Sequence, residues 1–238
     1  MIIFNRVQLS DIFREMRMVN EKVKLFAVAL SFLGLTGCHT NSIRDIEGNT
    51  YKTVTIGTQV WMAENLKTTK YNDGTEIPMV ADNDEWAKLI TPAFSWYNSD
   101  QTDNKKTYGA LYNWYAVNTN KLCPAGWHVS TDGDWVTLVT FLLGGTDVGG
   151  KLKEKGTAHW KSPNTGATNE SGFTALPGGY RSFEGAFNYI SISGYWWSST
   201  EYNEANVLFW NLRYKVSGTF KYRSEKNCGF SVRCVQDK

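Results

Sequence analysis

The sequence predicts an α+β domain with small antiparallel sheets, two main helices and long loops. Short segments of alternating polarity, bounded by Gly-Asn and Asn-Asp-Gly turn signals, are typical of strands joined in hairpins. One longer segment places apolar residues at helical spacing, and most strand-like segments lie in the second half of the chain. Helices early and short strands late favour an antiparallel sheet.

Residues 1–37 are predicted to be a secretory signal. A basic region precedes the apolar run 25–33, which is too short to cross a bilayer, since a span needs roughly 20 residues. The run ends in Leu-Thr-Gly-Cys38, which closely resembles the lipobox of bacterial lipoproteins; an ordinary signal peptide or a buried helix is the alternative. We expect an acylated Cys38, a tether over residues 38–45, and a membrane-anchored protein of the cell envelope, at the outer membrane and facing the periplasm or the surface.

Residues 46–238 are predicted to form a single domain, because a chain of about 200 residues can build one sizeable core. Five of the 25 basic residues and three of the 23 acidic residues lie before Cys38, so the remaining chain is formally neutral. A neutral surface lacks the electrostatic footprint of a nucleic-acid-binding protein, and we expect no nucleic-acid partner.

The first half of the domain begins with a hairpin, in which strands 51–56 and 59–62 flank a Gly-Thr turn. Residues 84–90 predict a short helix with Trp86 and Ile90 on one side. The aromatic-rich segment 108–117 is interpreted as a buried helix.

The clearest helix follows Ser130 and Thr131, either of which can cap it, with Asp134 in its first turn. Gly144-Gly145 is expected to end it. Its apolar stripe comprises Trp135, Leu138, Val139 and Leu142. Strands are then expected over residues 172–176, 195–199, 206–212, 218–222 and 229–235.

Four blocks of sequence occur in order from about residue 46 to the end of the chain. They are 60–66, 108–117, 122–129, and 197–201 taken together with 229–234. These blocks and their rare residues closely resemble the Fibrobacter succinogenes major paralogous domain, which is common among bacterial surface lipoproteins. The resemblance implies a C-type-lectin-like fold related to the formylglycine-generating enzymes, and it implies no established activity.

The resemblance also implies a disulfide. In lectin-like domains a long-range bridge joins the segment before the first helix to the last strand, which here pairs Cys123 with Cys234. Cys228 is then a spare thiol that the family pattern does not require. Two environments stay open for it, one buried and inert, the other exposed and reactive.

The sites of the related proteins are incomplete in this sequence. The related enzymes bind copper through two cysteines, and those positions hold Thr219 and Ser224, whose hydroxyls are poor ligands for a soft cuprous ion. The calcium-lectin signature is reduced to Ser-Pro-Asn at 162–164 and Trp-Asn-Leu at 210–212, each without its carboxylate. We therefore expect no metal and no cofactor.

Aromatic residues near the predicted loop face of the sheet are the remaining signal. Rings exposed together suit stacking on sugar rings or docking of a protein. Because strand residues alternate, at most one of Trp196 and Trp197 can be exposed. The candidate ligand-binding residues are Tyr180, Arg181, Trp197, Tyr202 and Trp210. They predict a non-catalytic binding or adhesion module for a glycan or a protein.

The alternative is an enzyme, either of formylglycine-generating ancestry or a carboxylate-based glycan hydrolase. Glu184, Glu201 and Glu204 offer the carboxylates that glycoside hydrolysis needs, and a cleft joining them to Arg181 would favour catalysis. The histidines show no metal-ligand spacing, and His128 is expected in the core because it follows Trp127 in a strand-like run. We therefore predict that the protein has no enzymatic activity.

Overall fold

The computed structural model describes residues 42–100, 102–143 and 146–238. The predicted signal peptide, Cys38 and the Gly144-Gly145 stop lie outside these residues. The described residues form an α+β fold with two five-stranded sheets and a two-stranded ribbon. The α+β class predicted from the sequence is therefore confirmed.

The secondary structure consists of short elements. The strands are β1 (Ser42–Arg44), β2 (Thr50–Ile56), β3 (Gln59–Met62), β4 (Phe94–Ser95), β5 (Leu111–Tyr112), β6 (Trp127–Val129), β7 (Gly178–Arg181), β8 (Phe187–Ile190), β9 (Ser193–Glu201), β10 (Asn206–Arg213), β11 (Phe220–Glu225) and β12 (Cys234–Gln236). The helices of the described residues are α1 (Asn83–Ala87), α2 (Asp103–Tyr108), α3 (Trp114–Val117), α4 (Asp132–Phe141) and α5 (Val148–Leu152), with one 3-10 turn at Tyr97–Ser99.

The two large sheets differ in how their strands pair. The first has the order β1-β2-β3-β12-β6 and is antiparallel throughout. The second has the order β11-β10-β9-β7-β8 and is antiparallel except where β7 runs parallel to β9. This parallel contact brings two segments of the chain side by side that no hairpin connects.

Helix α4 packs between the two sheets. Its Trp135 ring lies 5.2 Å from Trp61 of the first sheet and stacks on Trp210 of the second sheet at 5.5 Å. Thr131 caps the helix, and Asp134 completes a capping box with it, which satisfies backbone donors at the helix start. The predicted cap, the acidic first turn and the apolar stripe are thus confirmed.

A second apolar cluster surrounds Phe230 on the other side of the second sheet. Phe230 is buried and packs against Trp197 with ring centroids 4.2 Å apart. The disulfide between Cys123 and Cys234 belongs to the same cluster. Large side chains from distant parts of the sequence therefore meet on both faces of this sheet.

Several predicted elements are wrong, each for a local reason. Residues 108–117 do not form one helix, because Gly109 has a φ of 76° and an added Cβ there would lie 2.7 Å from the carbonyl oxygen of Leu66. The predicted second main helix is consequently absent from this segment, where α2 ends, β5 follows and α3 begins. Among the described helices only α4 is longer than six residues.

Two further predicted elements, a helix and a strand, are also wrong. Helix α1 ends at Ala87, so Ile90 is exposed instead of sharing a side with the buried Trp86. Residues 172–176 form only an isolated bridge through Ala175, since Thr174 has a φ of 54° and its carbonyl oxygen accepts from Arg233. A regular ladder cannot form across that residue.

The folded domain begins earlier than predicted. Residues 42–44 of the expected tether form β1 and pair with β2, and Asp45 is buried where it accepts from the Tyr51 hydroxyl at 2.6 Å. The tether predicted over 38–45 is therefore too long. No helix of the described residues is both long enough and apolar enough to cross a membrane.

Candidate functional site

The two tryptophans that the sequence suggested for binding lie in the core. The Trp197 indole nitrogen donates to the carbonyl oxygen of Tyr112 at 2.7 Å, and its side chain is fully buried. Trp210 is buried as well, and its indole nitrogen donates to an Asp132 carboxylate oxygen at 3.2 Å. Trp196, on the opposite face from Trp197, is also buried. The expectation of exposed indole planes is wrong because apolar layers cover both faces of the sheet here.

Arg181 is fully buried, and its nitrogens donate to neighbouring oxygens. Nε donates to the carbonyl oxygen of Gly185 at 2.8 Å, and Nη1 and Nη2 donate to the carbonyl oxygens of Val80 and Ala81. The guanidinium also lies 4.3 Å from the centre of the Trp86 ring. With its donors satisfied inside the fold, Arg181 positions loop 80–83 and is not accessible to a ligand.

Of the five predicted binding residues, Tyr202 and Tyr180 reach the surface. Tyr202 is 53% exposed in the β9–β10 turn, where the Arg223 guanidinium lies 4.3 Å from its ring. Tyr180 is partly exposed in β7 and belongs to a different surface. The structure therefore separates these two tyrosines instead of joining them in one site.

Tyr180 belongs to a continuous row of aromatic rings that crosses the second sheet. Every strand of the sheet contributes at least one ring, and neighbouring ring centroids are between 4.7 and 6.1 Å apart. Five strands at the usual spacing give this row a span of about 19 Å. The aromatic row consists, in spatial order, of Tyr189, Tyr180, Tyr195, Phe209, Tyr222 and Phe220.

The strand register explains how the row forms. Gly179 pairs with Gly194 across the parallel contact, so the residues that follow them, Tyr180 and Tyr195, lie side by side. Further along the same face, Phe209 of β10 pairs directly with Tyr222 of β11. Directly opposed residues share one face of a sheet, and these pairs therefore present their rings together.

Phe230 fixes the centre of the row, and solvent reaches its ends. The Phe230 ring packs against Tyr180, Tyr195 and Phe209 at 5.7, 5.5 and 4.7 Å. Tyr189 and Tyr222, towards the two ends, are 51% and 41% exposed. The result is a strip of rings with accessible ends and a partly buried middle.

Burial keeps the central hydroxyls of the row neutral. It raises the pKa of Tyr195 to about 12 and also raises the pKa of Tyr180. Both phenols therefore remain protonated at physiological pH. The centre of the row can offer ring surface and neutral hydroxyl groups to a ligand.

Sequence reasoning identified only Tyr180 among the six residues of the row. Strands near Phe209 and Tyr222 were predicted, but their register was not, and a shift of one residue would send the two rings to opposite faces. The parallel contact that joins Tyr180 to Tyr195 leaves no local signal in the sequence. The alternation of side chains between the two faces of β10 and β11 was the one sequence signal that pointed to the row.

A concave region lies beside the disulfide, away from the aromatic row. It is a cavity of about 360 Å³ whose lining includes Cys123, Trp127 and His128. The His128 ring nitrogens approach Asp237 Oδ1 at 2.6 Å and Asp134 Oδ2 at 3.0 Å. The expectation that His128 is a core residue is wrong, because it is partly exposed and paired with two carboxylates.

These carboxylates change the pKa of the imidazole. The hydrogen bond with Asp134, followed by the one with Asp237, raises the pKa of His128 against the opposing effect of burial. For Asp134, burial raises the pKa, but hydrogen bonds from His128 and Thr131 outweigh it and bring the pKa to about 2. His128 and its partners therefore form an electrostatic clamp between β6, α4 and the end of the chain.

The carboxylates proposed for hydrolysis do not converge with Arg181. Glu184 lies in the β7–β8 turn and is exposed, while Glu201 and Glu204 are exposed around the β9–β10 turn. Glu201 forms an ion pair with Lys226. Arg181 is buried, so the cleft that would join it to these glutamates is not present among the described residues.

The positions compared with related proteins have structural roles. Asn164 is buried and donates to the carbonyl oxygens of Glu154 and Gly156, and buried Asn211 donates to that of Gly194 at 2.9 Å. Ser224 is buried. Within the described ranges, no group of three or more His, Cys, Asp or Glu residues could hold a metal ion.

The cysteines pair as the resemblance implied. Cys123 and Cys234 form a disulfide over a sequence separation of 111 residues, and Cys228 is free and buried. Burial raises the pKa of Cys228 to about 11, although a hydrogen bond with Ser224 opposes this rise. Of the two environments left open for Cys228, the structure has the buried one, and its lack of reactivity stays a prediction.

One comparison with known proteins gives a match. A family model described as the Fibrobacter succinogenes major domain matches residues 54–236. No curated protein and no solved structure matches the chain. The matched region contains β3 to β12, and with them the whole aromatic row.

Proposed function

The chain belongs to the Fibrobacter succinogenes major domain family, and we propose that it is a non-catalytic binding module of the cell envelope whose aromatic row holds a glycan. The single observation that carries this proposal is the row itself. Rings stacked side by side suit the apolar faces of sugar residues, and the tyrosine hydroxyls can bond to sugar hydroxyl groups. The span of about 19 Å suits an oligosaccharide rather than a single sugar.

The shape of the row favours a narrow ligand over a folded protein. A stable protein–protein interface buries about 800 Å² on each partner, usually around a fully desolvated centre. Here Phe209 in the middle of the row is only 8% exposed, so the row lacks a broad accessible centre. An extended chain of sugars can pass over Phe209 and contact the more exposed rings on either side of it, whereas a stable protein interface needs a broad buried centre.

Location at the cell envelope is part of the same proposal. Its support is the sequence Leu-Thr-Gly-Cys38 after a short apolar run, which suits acylation of the cysteine. The disulfide supports export as well, because such bonds persist in oxidising compartments. We propose that the lipid on Cys38 anchors the protein at the outer membrane.

We also propose that the α+β fold is C-type-lectin-like. The disulfide supports this assignment in its last-strand partner Cys234, whereas Cys123 precedes α4 and not the first helix of the described residues. The proposal of binding does not depend on it, because function is carried by the site and not by the fold class.

Glycan binding can be tested with the purified protein on a glycan array, followed by calorimetric titration of the bound oligosaccharides. Replacement of Tyr189 or Tyr222 by Ala removes an accessible ring near one end of the row. We expect each change to weaken binding by about tenfold, which corresponds to about 1.4 kcal/mol. Because both side chains are substantially exposed, the folded state should persist, and thermal unfolding checks this.

Tyr202→Ala is the matched control. Tyr202 is as exposed as Tyr189 but lies outside the row, in the turn where the sequence placed a binding residue. Glycan binding that needs Tyr202 and tolerates Tyr189→Ala and Tyr222→Ala would overturn the proposed site. Capture of an envelope protein with no glycan binding would overturn the proposed ligand.

A further inference from the structure

An exposed arginine lies at the β11 end of the aromatic row. The Arg213 guanidinium is 4.8 Å from the centre of the Phe220 ring and 5.4 Å from that of Tyr222. Arg213 follows Asn211 by two positions on β10, so its side chain is on the same face of the sheet as the row. The row therefore combines neutral rings with a positive charge at one end.

Two hydrogen bonds hold this guanidinium in place. Nε donates to Asn211 Oδ1 at 2.7 Å, and Nη2 donates to the Tyr222 hydroxyl oxygen at 3.1 Å. Asn211 is fully buried, and its amide nitrogen donates to the carbonyl oxygen of Gly194 at 2.9 Å. A buried and anchored amide therefore fixes the orientation of an exposed charge, which reduces the entropy lost on binding.

The outer edge of the guanidinium is unused. Arg213 makes no ion pair with any carboxylate of the described residues, and neither Nη1 nor the second hydrogen of Nη2 has an acceptor there. These donors form the planar fork that matches the two oxygens of a carboxylate. Stacking on Phe220 and Tyr222 leaves that edge free.

We propose that the aromatic row binds an acidic glycan and that Arg213 receives the carboxylate of a uronic acid residue. The inference rests on the proposed function, since it specifies the class of sugar bound by the same row. The rings hold the sugar chain, and Arg213 selects chains that present a carboxylate near the β11 end. Arg213 is thus a specificity-determining residue for the ligand.

The test compares two oligosaccharides of equal length by calorimetric titration of the purified protein. One is an oligogalacturonate, and the other is the same oligosaccharide after its carboxyl groups have been reduced to alcohols. A sulfated oligosaccharide is the third ligand tested, because sulfate is the other common source of anionic oxygens on sugars. Arg213→Gln and Arg213→Lys are measured against all three ligands.

Arg223→Gln is the matched control. Arg223 is also exposed and makes no ion pair with the described residues, but it pairs with Leu208 and so lies on the opposite face of the same strand pair. Both glutamine variants lose one positive charge from the same ribbon. A difference between them reports the position of the charge, and not the net charge of the protein.

We expect the wild type to bind the oligogalacturonate about tenfold more tightly than its reduced form, with an affinity that falls as salt rises. Arg213→Gln should abolish this preference. Arg213→Lys should retain part of the preference for the acidic oligosaccharide, and Arg223→Gln should retain all of it. Thermal unfolding establishes that the variants are folded.

The other outcomes separate the two proposals. Equal binding of the acidic and reduced oligosaccharides, unaffected by Arg213→Gln, overturns the acidic ligand and leaves glycan binding intact. A preference for the sulfated ligand that depends on Arg213 overturns the assignment to a carboxylate. If neither neutral nor acidic oligosaccharides bind, the proposed function itself is wrong.

Discussion

The ring of Tyr180 packs against the ring of Tyr195 with centroids 4.7 Å apart, across the parallel contact between β7 and β9 of the second sheet. This pair joins the two halves of the aromatic row. On one side lies Tyr189, and on the other Phe209 continues the row to the edge strand β11. The parallel contact between β7 and β9 is therefore what makes the row continuous.

A double-mutant cycle should detect the energetic coupling of these two rings. Tyr180→Ala, Tyr195→Ala and the double variant are expected to give a coupling free energy of about 0.5–1.5 kcal/mol, as for other packed aromatic pairs. Urea unfolding provides the measurement. Tyr180 and Tyr222 lie three strands apart and form the control pair, whose effects should add. Additive effects at Tyr180 and Tyr195 would contradict direct packing.

The sequence predicted two elements whose signals are local and mutually consistent, the helix α4 and the first hairpin. The capped helix α4 rests on Thr131, Asp134 and an apolar stripe within a few turns of one another, and all of these are in place. The hairpin of β2 and β3 depends on alternation and a glycine turn, which are equally local. The long-range disulfide was different, since its pairing came from the family resemblance.

The site could not be predicted, because it depends on contacts between distant strands. Composition showed many aromatic residues but could not separate the buried Trp197 from the exposed Tyr189. Arg181 was interpreted as a ligand-binding charge because nothing in the sequence indicated its internal partners. Its backbone acceptors, among them Val80, lie about a hundred residues earlier in the chain. Only the register of the second sheet decides which rings share a face.

The disulfide between Cys123 and Cys234 should contribute about 4–5 kcal/mol to the free energy of unfolding, because it closes a loop of more than a hundred residues in the unfolded chain. The double variant Cys123→Ala, Cys234→Ala tests this by urea unfolding.

Cys228 should resist alkylation in the native protein and react after unfolding. A bridge between Cys228 and Cys234 in non-reducing peptide maps would contradict this pairing.

Acylation of Cys38 should be visible in the protein isolated from its own membranes. Mass spectrometry is expected to find Cys38 as the first residue, carrying lipid, with residues 1–37 removed. Cys38→Ser should abolish the lipid and release the protein from the membrane fraction. An unmodified Cys38 within an uncleaved chain would show that the N-terminal segment acts in another way.

Lys153 should make stability depend on pH in the alkaline range. Its ammonium is buried and donates to the carbonyl oxygens of Thr165, Arg213 and Val216, and burial lowers its pKa to about 8 from an ordinary value of 10.5. Between pH 8 and 10.5 the unfolded chain binds more protons at this group, so its contribution to the free energy of unfolding rises with pH. Urea unfolding should show this rise in the wild type relative to Lys153→Met. A parallel pH dependence of the two proteins would exclude a contribution from the titration of Lys153.

His128 should give the opposite dependence near neutral pH. Its folded-state pKa is raised above the ordinary 6.5 by Asp134 and Asp237, so the clamp contributes fully below pH 6.5 and is lost as the pH rises through the folded-state value. Asp134 has a lowered pKa, and its contribution, present above pH 3.8, is lost as the pH falls towards about 2.

Thermal unfolding of the wild type and His128→Asn between pH 5 and pH 9 provides the measurement. The asparagine can keep one hydrogen bond but has no proton to lose, so the wild type should lose stability relative to it as the pH rises above 6.5. Since His128 also lines the cavity beside the disulfide and lies outside the aromatic row, glycan affinity should not change. A constant difference between the two proteins across this range would mean that His128 does not titrate with folding.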